Sequence, residues 1–118
     1  MGEQHNTILA VSPDRQIARF RHEALTEAGF YVISVHSEAA ARYEIHFGRC
    51  GILLLCHKLN KLTREALAND FHTICREPFI VSFLAHERDH YPPQTHVRIL
   101  HSRDLSHLVA TLRQRLAA

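Results

Sequence analysis

The sequence of 118 residues has no apolar run of membrane-spanning length. Its longest ones, Gly51 to Cys56 and Phe79 to Ala85, fall far short of the roughly 20 residues that a spanning helix needs, so no transmembrane helix is expected. The start, Met1-Gly2-Glu3-Gln4-His5-Asn6, lacks the basic and apolar regions of a secretory leader and the Ser or Thr of a myristoylation signal, so the expected location is the cytoplasm. Cysteine is scarce: Cys50, Cys56 and Cys75 are odd in number and show no CxxC spacing, which points to reduced thiols and excludes a disulfide-framed miniprotein. Glycine numbers only 4, and no GxGxxG turn, Walker loop, GxSxG elbow or HExxH helix occurs. Neither an enzyme nor a bound cofactor is expected. Charge of one sign is also lacking, since a formal +2 without a Lys/Arg run or interleaved aromatic stripe gives no electrostatic footprint for nucleic acid.

What remains is an ordinary globular composition, 46% hydrophobic and 22% charged, in a length that suits one compact domain over residues 1–118. Such a chain buries roughly 60% or more of its unfolded surface and needs neither disulfide nor metal to fold. Histidine alone is abundant. If all 11 gained a proton, the formal charge would climb from +2 to +13, so charge depends steeply on mildly acidic pH.

Strand and helix signals alternate along the chain. Thr7 to Val11 reads as a strand, Ser12 as a helix cap with Pro13 in the first turn, and Arg15 to Ala28 as a helix closed by Gly29. Phe30 to Val35 is the second strand, and Glu38 to Phe47 a helix between Ser37 and Gly48. Gly51 to Cys56 is apolar at nearly every position, as a central parallel strand covered on both faces should be. Thr63 caps a helix to about Arg76. Phe79 to Leu84 and Val97 to Leu100 are the fourth and fifth strands, and Ser102 or Asp104 opens a last helix with a stripe of Leu105, Leu108, Val109, Leu112 and Leu116. The class is α/β, a three-layer doubly wound parallel sheet with right-handed crossovers.

Five such repeats, with the ILAV first strand, the Gly29-Phe30 entry to the second and the ILLL third, resemble the receiver domain of bacterial response regulators over roughly residues 7 to 117. The resemblance implies flavodoxin-like strand order 2-1-3-4-5, chemistry at the carboxyl ends of the strands, and a place in a two-component phosphorelay with a protein partner. It also implies an acidic pair for Mg²⁺, a phospho-acceptor Asp, a strand-4 hydroxyl and a strand-5 Lys. By pattern these fall on Ser12 and Pro13 (with Asp14 nearby), on Cys56, on Phe83 and on His101. Each expected group is changed, and a single Asp is a poor seat for a hard octahedral ion, so ordinary aspartyl phosphorylation is not expected.

The segment His86 to Pro93 replaces the fourth helix of the pattern, and Pro92-Pro93 argues that this helix is shortened or missing. The surface so uncovered, with Tyr91 and Phe83, is a candidate docking face for a partner or a second copy. Asp14, Cys56, His57, His86 and His101 all fall at or past strand ends. A thiol with imidazoles suits Zn²⁺ better than Mg²⁺, which gives a metal, redox or pH sensor as the alternative, with Cys56, His86 and His101 as its metal set. Against it, Cys56 reads as a small buried hydrophobe, and Cys56 and His57 would point to opposite faces of a continuing strand. Arg19, Arg21, Glu23 and Glu27 are expected on the wet face of the first helix, and His86 to His90 in a surface loop.

Overall fold

The computed structural model describes residues 7–101 and 105–117. Five strands form one parallel sheet: β1 (Thr7–Val11), β2 (Tyr31–Val35), β3 (Ile52–Leu55), β4 (Phe79–Leu84) and β5 (Val97–Leu100), in the order β2-β1-β3-β4-β5. Four helices connect or follow them: α1 (Arg15–Glu27), α2 (Glu38–Phe47), α3 (Lys61–Ile74) and α4 (Ser106–Ala117). The order and the layers are those the alternating pattern predicts. Registers run without a break, with Val11 beside both Val35 and Leu55, and Leu55 beside Ser82.

Both faces of the sheet are covered. On one, Ile8, Ala10, Leu54, Val81, Phe83 and Ile99 pack beneath Leu25 of α1 and Leu108 and Leu112 of α4. On the other, Leu9, Val11, Leu53, Leu55 and Ile80 pack beneath Ala41 and Ile45 of α2 and Leu67, Ala68 and Phe71 of α3. Alternate residues of each strand go to opposite layers, as period-two geometry demands, and this is why β3 is apolar throughout and β4 at every position but Ser82.

Turn chemistry sets the boundaries. Ser37 caps α2 by accepting from the Ala40 N–H, and Gly48 ends it at φ +85°, a left-handed conformation open to glycine at no steric cost. Two other caps differ from expectation. Asp14, not Ser12, caps α1, because Ser12 continues the strand hydrogen bonding by donating its N–H to the Val35 carbonyl. Asn60, not Thr63, caps α3, its Oδ1 accepting from the Thr63 N–H at 2.8 Å, so the helix begins at Lys61 and ends at Ile74. The Ser102 or Asp104 start of the last helix lies outside the described residues.

Between β4 and β5 there is no helix. Residues 85–96 form bends and turns, with Asp89 Oδ2 accepting the N–H groups of Ala85 and His86 and the Pro92 carbonyl accepting the N–H of Thr95. Thr95 Oγ1 lies 2.8 Å from Ser82 Oγ, so the loop satisfies the one buried hydroxyl of β4. His96 ties the strand starts together: its N–H donates to the Ile80 carbonyl, and its Nδ1 accepts the Ile80 N–H at 3.1 Å.

Candidate functional site at the strand ends

Residues leaving β1 and β3 emerge side by side, since the Cys56 N–H donates to the Val11 carbonyl. Ser12 and Cys56 are both buried, Cys56 completely so, while Pro13 is exposed. Asp14 then turns back to cap α1. One of its oxygens accepts the N–H groups of Gln16 and Ile17 at 3.0 and 3.1 Å, and the other meets Lys58 Nζ at 3.0 Å. The Ile17 N–H and Lys58 together hold its carboxyl below the usual carboxylate range.

Facing these strand ends is a group that sequence reasoning misplaced. Arg21 is not on the wet face of α1; it is 6% exposed, and its guanidinium lies 3.6 Å from the centroid of the Phe83 ring and interacts with the Cys56 side chain. Ala18, Arg21 and Leu25 form the buried stripe of the helix, a spacing of three and four that was visible in the sequence beneath the charge. Burial pulls the proton affinity of Arg21 down, opposed by Cys56 and Asp14. Arg19 and Glu23, by contrast, are exposed as expected and pair at 3.3 Å.

The strand does not continue through Cys56, so the expected divergence of its neighbour does not occur. Residues 56–59 turn, with the Leu59 N–H donating to the Cys56 carbonyl, and His57 Nδ1 comes 3.8 Å from Cys56 Sγ. His57 stacks on His101, ring centroids 4.1 Å apart and planes 20° from parallel. Burial, then the neighbouring His101, Arg21 and Lys58, push the His57 pKa down to about 4, so at neutral pH it is an uncharged imidazole. His101 is held by its N–H donating to the Leu84 carbonyl. Beside it, between α1 and the strand ends, opens a concavity of about 220 Å³ lined by Gln16, Ile17, Phe20, Arg21, His101 and Leu105.

His86 stays in the loop after β4, its N–H on Asp89. Among the described residues no group of three or more His, Cys, Asp or Glu side chains is placed to hold a metal, so Cys56, His86 and His101 are not a ligand set. Mg²⁺ does not fit either. It requires several oxygens in octahedral array, and this place offers a guanidinium, a thiol, two imidazoles and one carboxylate already bonded to Lys58 and a helix end.

Phe83 is not part of an exposed face. It is 1% exposed, because its position in β4 points toward α1 and α4, under Arg21. Tyr91 is 40% exposed, with the Arg98 guanidinium 5.0 Å from its ring centroid. Close by, the space without a helix forms a groove of about 580 Å³ over Leu84, Ile99 and Leu100, edged by Glu87, Arg88, Arg98 and His107.

No protein-family model and no curated protein matches this chain. Solved structures do. The N-terminal domain of a response regulator/sensory box/GGDEF three-domain protein from Carboxydothermus hydrogenoformans superimposes with a TM-score of 0.81 at 17% identity, over 94% of each chain. A response regulator receiver domain from Methylobacillus flagellatus gives 0.80 at 16% identity, over 92% of this chain and 97% of that one. Response regulator TrrA of Thermotoga maritima, in its complex with histidine kinase ThkA, gives 0.79 at 16% identity, over 96% of this chain and 99% of that one. The fold is that of receiver domains, and no helix among the described residues is long and apolar enough to cross a membrane.

Proposed function

We propose that this chain is a receiver-fold signal-transduction domain that is not phosphorylated in the ordinary way and acts by binding another protein. The observation that carries the reading is Arg21 buried against Cys56 and Phe83. In this reading Ser12 and Pro13 stand where a receiver has its acidic pair, Cys56 where it has the acceptor Asp, and Phe83 and His101 where it has its hydroxyl and Lys. A cation has come to the place that elsewhere gathers carboxylates around a metal. Ordinary receiver phosphorylation forms an aspartyl phosphate, which needs a carboxylate to attack the phosphorus and a metal ion on the phosphoryl oxygens, and a buried thiol is not that carboxylate and does not seat that ion.

The partner would sit in the groove beside β5. Its floor is apolar, and Arg88 and Arg98 outnumber Glu87 at its edge, which suits a protein segment with an apolar anchor and acidic flanks. The histidine kinase complex of TrrA is a precedent for a protein partner on this fold, without fixing which surface serves here.

The experiment is a ¹H–¹⁵N spectrum of the chain before and after beryllofluoride or acetyl phosphate with Mg²⁺. No Mg²⁺-dependent shift is expected at Asp14 or Cys56 when the same reagents are compared with and without Mg²⁺. Specific shifts centred on Asp14 and Cys56 that require Mg²⁺ would overturn the reading.

A further inference from the structure

We propose that the concavity between α1 and the strand ends binds a small tetrahedral oxyanion of the phosphate or sulfate class, held by Arg21 and His101. The inference goes beyond the docking reading and does not depend on it. Its basis is an imbalance of charge next to a hole of suitable size. Arg21 is 94% withdrawn from solvent, and among the described residues no carboxylate is in ion-pair contact with it. Among the described residues the carboxylate it senses is Asp14, which is bonded to Lys58 and to two N–H groups of α1. What Arg21 has instead is an aromatic face and a thiol, which are weak compensation for a desolvated guanidinium.

The same concavity is lined by His101 and Gln16, both exposed and both able to donate a hydrogen bond. His57 backs His101 at stacking distance. Among the described residues, the charged or titratable groups facing His57 are Arg21 from α1, His101 after β5, Lys58 and Cys56 from its own turn, and Asp14 from the β1–α1 connection. Burial first, and then the neighbouring His101, Arg21 and Lys58, depress its proton affinity. An oxyanion among them would supply the missing negative charge, accept paired N–H bonds from the planar guanidinium, and favour protonation of His57.

The test is a titration of the labelled full chain at constant ionic strength. Sulfate, which keeps its charge, is used at pH 7.5 and 5.5, and inorganic phosphate and phenyl phosphate at pH 7.5. Saturable shifts are expected at Arg21, Gln16, His57 and His101. Losing a charge-assisted pair should weaken binding about tenfold or more in Arg21→Met. Sulfate should bind more tightly at pH 5.5. If Arg21→Met does not fold, His101→Leu decides, because it removes the side-chain donor at an exposed position whose backbone bond survives. Equal or tighter binding of inorganic phosphate than of phenyl phosphate supports a free ion as the ligand; tighter binding of the ester supports the same site reading a phosphoryl group on a partner's side chain. Unsaturable shifts, or saturable ones unaffected by both variants, would overturn the proposal.

Discussion

Arg21 sets the character of the strand-end site, and its energetics are unlike those of a surface arginine. Withdrawing a guanidinium from water costs several kcal/mol, and the Phe83 ring and Cys56 thiol return only part of that. An apolar residue of similar length should therefore serve the fold as well or better. Arg21→Met is expected to leave the unfolding free energy the same or raise it by up to about 1 kcal/mol, as when buried ion clusters are replaced by apolar side chains. Urea denaturation checks it; a loss above about 2 kcal/mol would mean that the guanidinium holds the strand ends together. The cysteines divide by the same logic of burial. Withdrawal from water pushes Cys50 up to about 12, and Cys75 also rises, which makes both poor nucleophiles at neutral pH.

At the scale of elements, the segment between β4 and β5 matters most. Where a helix would have covered Leu84 and Leu100, the chain leaves a groove edged by Arg88 and Arg98. A second copy docking there about a two-fold axis would bring those arginines toward their own images, so the charges favour an acidic partner over self-association. Sedimentation at neutral pH is expected to find a monomer; a dimer that dissociates on Tyr91→Ala would assign the groove to a second copy instead. The loss of this helix was legible in the sequence, because Pro92 and Pro93 forbid it. So were β1, β4, β5 and α2, whose bounds match the pattern to the residue, because apolar runs and the Ser37 and Gly48 punctuation act locally. The caps of α1 and α3 were not, since Ser12 and Asp14, or Asn60 and Thr63, compete for one role and only the path of the incoming strand selects between them. The position of the candidate site was legible from the parallel order of the strands. Its contents were not: a charged Arg21 reads as solvated, and the turn that folds His57 back toward Cys56 depends on where β3 stops.

For the molecule as a whole, acid is the condition to which this composition is most exposed. His57 is held neutral down to about 4, and burial lowers His96 too, whose Nδ1 must stay unprotonated to accept the Ile80 N–H. The unfolded chain takes up these protons near 6.5 and the folded one later, so the unfolded state binds more protons in between and stability must fall as pH drops. The loss begins below about 6.5 and, for His57, is complete only once pH has passed about 4. Asp14 and Asp89, whose carboxyls are held low by hydrogen bonds, add their own loss at still lower pH. Denaturant midpoints at pH 7.5, 6.0 and 5.0 should decline in that order; a flat series would show that neither imidazole sits as described.

The two layers over the sheet also differ in reach. α1 and α4 cover one face out to Ile99, whereas on the other face α2 and α3 stop at β4, so that β5 contributes an exposed Arg98 and a half-covered Leu100. The barrier to opening is therefore lopsided. Strands β1 and β3 are locked between neighbours and between helices, while β5 has a partner strand on one side only and packed helices on one face only. Thermal fluctuations should lift the β5 margin many times for each complete unfolding, and the amides of Arg98 to Leu100 should trade their hydrogens for deuterium long before those of Ile52 to Leu55. A partner that fills the groove would slow that local breathing before it altered anything else in the molecule.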